Sequence, residues 1–153
     1  MPISFRPATA ADLDSIFLLM QQMQIDDPWS EPFNESAVRH NLLELLTNPI
    51  YGVVHLALDA NTSIAYLVIC FDFSLEYRGK GAWIDELFVL RTHRGKGIGT
   101  KLLDLAESSS RQHAAYYLHL EVTHGNPAID LYRRRGFQDH HRYLLTKPLA
   151  KPL

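Results

Sequence analysis

The sequence is poor in cysteine, nearly balanced in charge and without a long apolar run. Cys70 is the single cysteine, which excludes an internal disulfide and is typical of a reducing compartment. A formal net charge of −2 provides no bulk attraction to nucleic acid or to an anionic membrane. No stretch reaches the roughly 20 apolar residues that a membrane-spanning helix needs, and the first residues do not resemble a secretory signal. We therefore expect a cytoplasmic protein without nucleic-acid or membrane partners.

The composition that is present is that of an ordinary globular protein. Hydrophobic residues make up 46% of the chain and charged residues 21%, which excludes a disordered or collagen-like chain. A chain of 153 residues can bury a core of its own. Because no repeat, linker or change of composition interrupts it, we expect a single domain over residues 1–153.

The spacing of the apolar residues predicts a mixed α and β fold. Helices are predicted after Thr9 and after Asn34, then from the glycine loop towards Ser110, and last over residues 127–135. Strands are predicted over residues 3–6, 51–58, 63–73, 83–90, 116–122 and 143–145. The order strand, glycine loop, helix, strand in the second half is that of a crossover unit with parallel strands.

A glycine-rich loop joins the predicted strand 83–90 to the helix that follows it. The loop and the start of the helix comprise Arg94, Gly95, Lys96, Gly97, Ile98, Gly99 and Thr100. Glycines allow positive φ angles and close approach to a ligand, and the free amides of a helix N-terminus attract phosphate. The spacing G-x-G-x-G differs from that of the Walker A loop and of the dinucleotide fingerprint. A basic surface turn is the alternative interpretation.

Three segments together resemble one known family. Arg94-x-x-Gly97-x-Gly99 resembles the Gln/Arg-x-x-Gly-x-Gly/Ala signature of the GNAT family of N-acetyltransferases. The acidic and apolar segment 85–89 is similar to that family's central strand, and residues 126–137 are similar to its second conserved region. The resemblance covers roughly residues 82–137 and is highly specific there.

The resemblance implies a fold and a way of binding acetyl-CoA. The expected fold is a mixed sheet of six or seven strands, splayed between the fourth and fifth, with about four helices. The pantetheine arm would enter the gap and pair with the backbone of Leu87, Phe88 and Val89. The pyrophosphate would lie on the loop from Arg94 to Thr100, and Asn126 would hydrogen-bond the pantetheine or phosphate arm. A homodimer is possible by analogy with other members.

Two carboxylates and one tyrosine are the candidate catalytic residues. Asp85 and Glu86 lie in an otherwise apolar strand, where a carboxylate is costly unless it has a partner. One of them is predicted to be a general base or an anchor for a cation, and a structural ion pair is the alternative. Adjacent strand residues point to opposite faces unless a bulge intervenes, so the choice between the two stays open. The resemblance implies that Tyr132 protonates the departing thiolate, whereas packing in the core is its structural alternative.

The acceptor is predicted to be a small cationic amine, because the loop residues Asp26, Asp27 and Glu31 and the strand pair Asp85 and Glu86 are all acidic. A peptide amine, as in a protein N-terminal or lysine acetyltransferase, is one alternative. A catalytically silent acyl-CoA-binding module is another. The spacing of the eight histidines matches no common metal site, so we expect no metal.

Overall fold

A single mixed sheet positions the candidate site. The computed structural model describes residues 2–149. Its strands are β1 (Ser4–Pro7), β2 (Gly52–Asp59), β3 (Thr62–Ser74), β4 (Gly79–Val89) and β5 (Tyr117–Leu120). They lie in the order β1-β2-β3-β4-β5, and β4 and β5 are parallel whereas the other neighbours are antiparallel. The parallel pair follows from the predicted crossover through the glycine loop and its helix.

The helices begin where the sequence provides caps. They are α1 (Leu13–Asp26), α2 (Glu35–Thr47), α3 (Ile98–Gln112) and α4 (Ala128–Arg134). The side chain of Asn34 accepts a hydrogen bond of 3.0 Å from the amide of Ala37, which confirms it as the cap of α2. Thr9 precedes a short 3-10 turn, Ala10–Asp12, that leads into α1.

The core lies between the sheet and the first two helices. Buried residues of α1 and α2 pack against alternate residues of β2 and β3, including Leu56, Tyr66 and Val68. The other face of the sheet packs against α3, whose Ile98, Leu102 and Ala106 are buried. Glu86 and Phe88 of β4 therefore share the face of Tyr66 and Val68, their partners across the strands.

The chain divides into two compact units after Leu120. The first contains the sheet and helices α1 to α3, and the second contains α4. In the second unit Gly136 has a φ of +90° just after α4, as predicted for the residue that closes this helix.

The strand count differs from the expected six or seven. Five strands form among residues 2–149, and β5 is shorter than the predicted segment 116–122. The predicted strand 143–145 does not form, and Tyr143 and Leu145 are 93% and 88% exposed. Apolar composition alone does not make a strand, because a strand needs hydrogen-bonded neighbours. No helix among the described residues is both long and apolar enough to cross a membrane.

Candidate active site

A β-bulge in β4 lies at the two candidate carboxylates, Asp85 and Glu86. Across β3 and β4, Val68 pairs with Glu86 and the next residue, Ile69, pairs with Ile84. Asp85 is therefore the extra residue of the bulged strand. Because the bulge interrupts strict alternation, Asp85 and Glu86 need not point to opposite faces, and the charge of Asp85 acts on both Tyr66 and Glu86.

Glu86 is a mostly buried carboxylate with two hydrogen-bond donors. The hydroxyl of Tyr66, which is fully buried, donates to Oε2 of Glu86 at 2.7 Å. The indole of Trp29, in the loop between α1 and α2, also donates to this side chain. Burial raises the pKa of Glu86 to about 7, and the charge of Asp85 adds to this, whereas the two hydrogen bonds oppose it. At neutral pH Glu86 can therefore both accept and release a proton.

Asp85 keeps access to solvent at the bulge. Partial loss of hydration nevertheless raises its pKa. Its charge contributes to a raised pKa of about 11 at the thiol of Cys70, which is due first to burial. A thiol with such a pKa stays protonated at neutral pH, which makes Cys70 a poor nucleophile.

Strand β4 has an open backbone edge beyond the bulge. Its pairing with β5 runs from Gly81 with Tyr117 to Ile84 with Leu120 and ends there. Among the described residues, positions 85–89 have no strand partner on that side. This is the expected splay between the fourth and fifth strands. On the open side it leaves backbone groups of residues 87–89 available to an extended ligand, except for the carbonyl oxygen of Val89, which accepts from Arg94.

The glycine loop has the geometry of an anion cradle. Gly95 and Gly97 have φ angles of +75° and +78°, and no atom lies within 4 Å of the position that a Cβ would take at either residue. Helix α3 begins directly after Gly97, so the amides of Ile98, Gly99 and Thr100 have no partner within the helix. Buried Ile98 anchors the loop, whereas Lys96 is exposed. The residues present thus fit a pyrophosphate at this helix N-terminus.

The side chain of Arg94 is engaged within the protein. Its Nε donates to the carbonyl oxygen of Val89 at 2.8 Å, and its Nη2 donates to Asp26 at the end of α1. Asp26 also accepts from Arg91 at 2.7 Å, and these bonds lower the pKa of Asp26. The charge of Asp26 is therefore neutralised by arginines, which corrects its proposed part in attracting a cationic acceptor. Sequence separation of more than 60 residues hid this contact.

The second unit contains two further candidate residues, Asn126 and Tyr132. The side chain of Asn126 accepts from the amide of Ala128 at 2.9 Å, which closes a tight turn that leads into α4. Tyr132 lies in α4, where its ring meets that of Phe137 edge-on with centroids 6.0 Å apart. The roles of Asn126 and Tyr132 towards a ligand stay predictions.

A group of rings that the sequence did not single out lies beside the carboxylates. Trp83 pairs with His119 across β4 and β5, and their ring centroids are 5.0 Å apart. The ring centroid of Tyr77, in the turn before β4, lies 4.6 Å from the ring centroids of both His119 and Tyr117. We call these four residues the ring cluster. Alternation along two short strands was the signal that could have placed Trp83, His119 and Tyr117 on one face.

Asp72 orients the largest ring of the cluster. Its Oδ2 accepts from Nε1 of Trp83 at 2.9 Å, while Oδ1 lies against Gly81, where a Cβ would approach it to 2.3 Å. Only glycine leaves room for this carboxylate. Among the described residues, no group of three or more histidine, cysteine or acidic side chains is arranged to hold a metal ion.

Comparison with known proteins identifies the family. The sequence model of the acetyltransferase (GNAT) family matches residues 18–137. An aminoalkylphosphonate N-acetyltransferase of Salmonella typhimurium is 30% identical over 151 residues, which is 97% of this chain and 94% of that enzyme. A streptothricin acetyltransferase of Streptomyces lavendulae is 49% identical over 55 residues, which is 35% of this chain and 29% of that enzyme.

A solved structure with low sequence identity has the same fold. It is described as a predicted acetyltransferase with acetyl-CoA from Clostridium acetobutylicum, and it has a TM-score of 0.82 at 22% identity. The match covers 95% of this chain and 96% of that one. Since the family model spans most of the sequence and the fold agrees, this chain belongs to the GNAT family and is an acyl-CoA-dependent acetyltransferase.

Proposed function

We propose that the protein transfers an acetyl group from acetyl-CoA to the primary amine of a small cationic molecule by direct attack. The partly buried carboxylate of Glu86 carries this proposal, because it lies next to the open backbone edge of β4 and has a pKa of about 7. A base with such a pKa is matched to proton transfer at neutral pH.

Features of the first unit support acetyl-CoA as the donor. The amides at the start of α3 and the cradle at Gly95 and Gly97 fit its pyrophosphate, and the edge at residues 85–89 fits an extended pantetheine arm. Acetyl-CoA would supply a thioester whose carbonyl carbon is open to attack. A structural relative described with acetyl-CoA has the same fold as this chain, which supports the same donor.

Glu86 would prepare the acceptor for attack. An alkyl ammonium group with a pKa near 10.4 must lose a proton before its nitrogen can act as a nucleophile. In this proposal Glu86 accepts that proton, directly or through water, and the amine nitrogen bonds to the thioester carbonyl carbon. A backbone amide near Val89 stabilises the resulting oxyanion. The carbon–sulfur bond then breaks while the nitrogen loses its second proton to solvent, which leaves the neutral amide and a thiolate.

Tyr132 is proposed as the acid that protonates the thiolate, on the strength of the sequence motif. A phenol with an ordinary pKa of about 10 suits this step. Replacing Tyr132 with phenylalanine should lower kcat and leave the affinity for acetyl-CoA nearly unchanged. An unchanged kcat would remove Tyr132 from the mechanism.

The acceptor class rests on charge. Neither Asp85 nor Glu86 has an ion-pair partner among the described residues, so their negative charge is available to a cationic substrate. The two named relatives act on amines, one on aminoalkylphosphonates and one on streptothricin. These names support an amine acceptor for this chain.

An acceptor screen tests the proposal. Purified protein would be incubated with acetyl-CoA and a panel of small amines, amino sugars and peptides, and thiol release would be followed. We expect release with small cationic amines and little with peptides. Transfer to peptides alone would favour a protein acetyltransferase, and acetyl-CoA binding without any acceptor would favour a silent binding module.

A further inference from the structure

Resting on the proposed function, we propose that the acceptor carries a second ammonium group, which binds between Asp85 and the ring cluster. The acceptor class is then a diamine or polyamine with a short apolar spacer. The reacting nitrogen lies at Glu86, and the second nitrogen remains charged throughout the reaction.

The two adjacent carboxylates carry more negative charge than a monoamine can balance. Two carboxylates, Asp85 and Glu86, lie side by side because of the bulge, and no cationic side chain pairs with either in the described part of the chain. A monoamine brings one positive charge, which is lost when its proton moves to Glu86. Asp85 is exposed in the free protein, but a bound acceptor that covered it without a second positive charge would remove it from water without a counter-ion, which is unfavourable.

The rings of the cluster lie next to the acidic pair along β4. Cys70, whose thiol feels the charges of both carboxylates, is the cross-strand partner of Trp83. Directly paired residues have Cβ atoms about 4.5 to 5.5 Å apart, so the side chain of Trp83 starts close to that of Cys70. Trp83 also comes two residues before Asp85 in β4. His119 and Tyr77 continue the ring surface away from β4.

A surface of aromatic rings beside carboxylates recognises ammonium groups. Faces of tryptophan and tyrosine rings attract ammonium groups, and a nearby carboxylate strengthens that attraction. The hydrogen bond from Trp83 to Asp72 fixes the indole and adds a third carboxylate behind it. This surface therefore favours a cation and disfavours an acceptor whose second group is a carboxylate or a phosphonate.

Acceptors with one chain length and different second groups test the inference. Butylamine, diaminobutane and aminobutyrate would be compared by kcat and KM, together with an aminoalkylphosphonate. For the unchanged protein we expect the lowest KM with diaminobutane. In Asp85→Asn and in Trp83→Phe, the ratio of kcat/KM for diaminobutane to that for butylamine should fall about three- to ten-fold.

Binding without turnover separates this inference from the proposed function. Titration of the protein with diaminobutane, followed by calorimetry, should give a heat that Asp85→Asn reduces. Asp85→Asn is isosteric and lies at an accessible bulge, so it serves if Trp83→Phe fails to fold by circular dichroism. Binding without acetyl transfer to any amine would refute the function and keep the subsite.

Three results would overturn the subsite. The first is equal kcat/KM for butylamine and diaminobutane in the unchanged protein. The second is a preference for aminobutyrate or the aminoalkylphosphonate. The third is an equal loss in the variants for every acceptor, because a merely structural role for Trp83 or Asp85 would not discriminate between second groups.

Discussion

The hydroxyl of Tyr66 lies 2.7 Å from Oε2 of Glu86 and is fully enclosed by the core. Because the phenol donates a hydrogen bond to the carboxylate, it stabilises the charged form of Glu86 against the effect of burial. Burial and the charge of Glu86 in turn raise the pKa of Tyr66 well above its ordinary value, so the phenol remains a donor at every pH at which the enzyme would work. Tyr66 therefore occupies Oε2 of Glu86 as a hydrogen-bond donor.

Glu86→Gln should remove most of the activity. If Glu86 is the base, kcat/KM rises with pH through an apparent pKa near 7, and the variant loses that limb together with roughly 100- to 10,000-fold in rate. The measurement is a pH profile at saturating acetyl-CoA with a single acceptor. Asp85→Asn is the matched control and should keep the limb, moved to lower pH because the charge of Asp85 no longer raises the pKa of Glu86. A profile of unchanged shape in Glu86→Gln would contradict the assignment.

Tyr66→Phe should move the same limb to higher pH. The substitution removes the hydrogen bond that favours the carboxylate, so the pKa of Glu86 rises further and more of it is protonated at neutral pH. We expect a shift on the order of one pH unit, with the maximum rate partly recovered in alkaline buffer. A uniform loss of rate without a shift would mean that Tyr66 only supports the fold.

Gly97→Asp should abolish acetyl-CoA binding, whereas Gly97→Asn should weaken it less. Both side chains have nearly the same size, and both residues tolerate the φ of +78° better than other non-glycine residues do. The difference between the two variants therefore measures the effect of a negative charge at the start of α3. Calorimetry with acetyl-CoA gives both affinities. Equal affinities would show that the phosphates do not lie at this helix N-terminus.

His55 should make the protein less stable in mild acid. It is 7% exposed, both ring nitrogens lack a hydrogen-bond partner among the described residues, and burial together with nearby His113 lowers its pKa. Below pH 6.5 the unfolded chain therefore binds a proton that the folded chain does not. The free energy of unfolding should fall by up to about 1.4 kcal/mol per pH unit until the lowered pKa is reached.

Denaturant unfolding at several pH values measures this effect. In His55→Leu that part of the acid dependence should disappear, whereas exposed His40 in α2 provides the control variant His40→Gln. An acid dependence that persists in His55→Leu would assign it to other groups.

Local patterns in the sequence predicted most of the fold. Asn34 and Gly136 mark helix ends through interactions with their immediate neighbours, so their roles could be inferred from a few residues. The choice between Asp85 and Glu86 could not, because a bulge depends on how β3 pairs with β4. The ring cluster and the contact of Arg94 with Asp26 depend likewise on segments far apart in the chain.

Asp26, at the end of α1, forms ion pairs with two arginines of the segment that follows β4. Since Arg91 and Arg94 share a single carboxylate, concentrated salt should weaken both attachments together. Helix α1 leads into the segment that carries Trp29, and Arg94 leads into the glycine cradle. Loss of this one carboxylate would therefore detach both segments from each other.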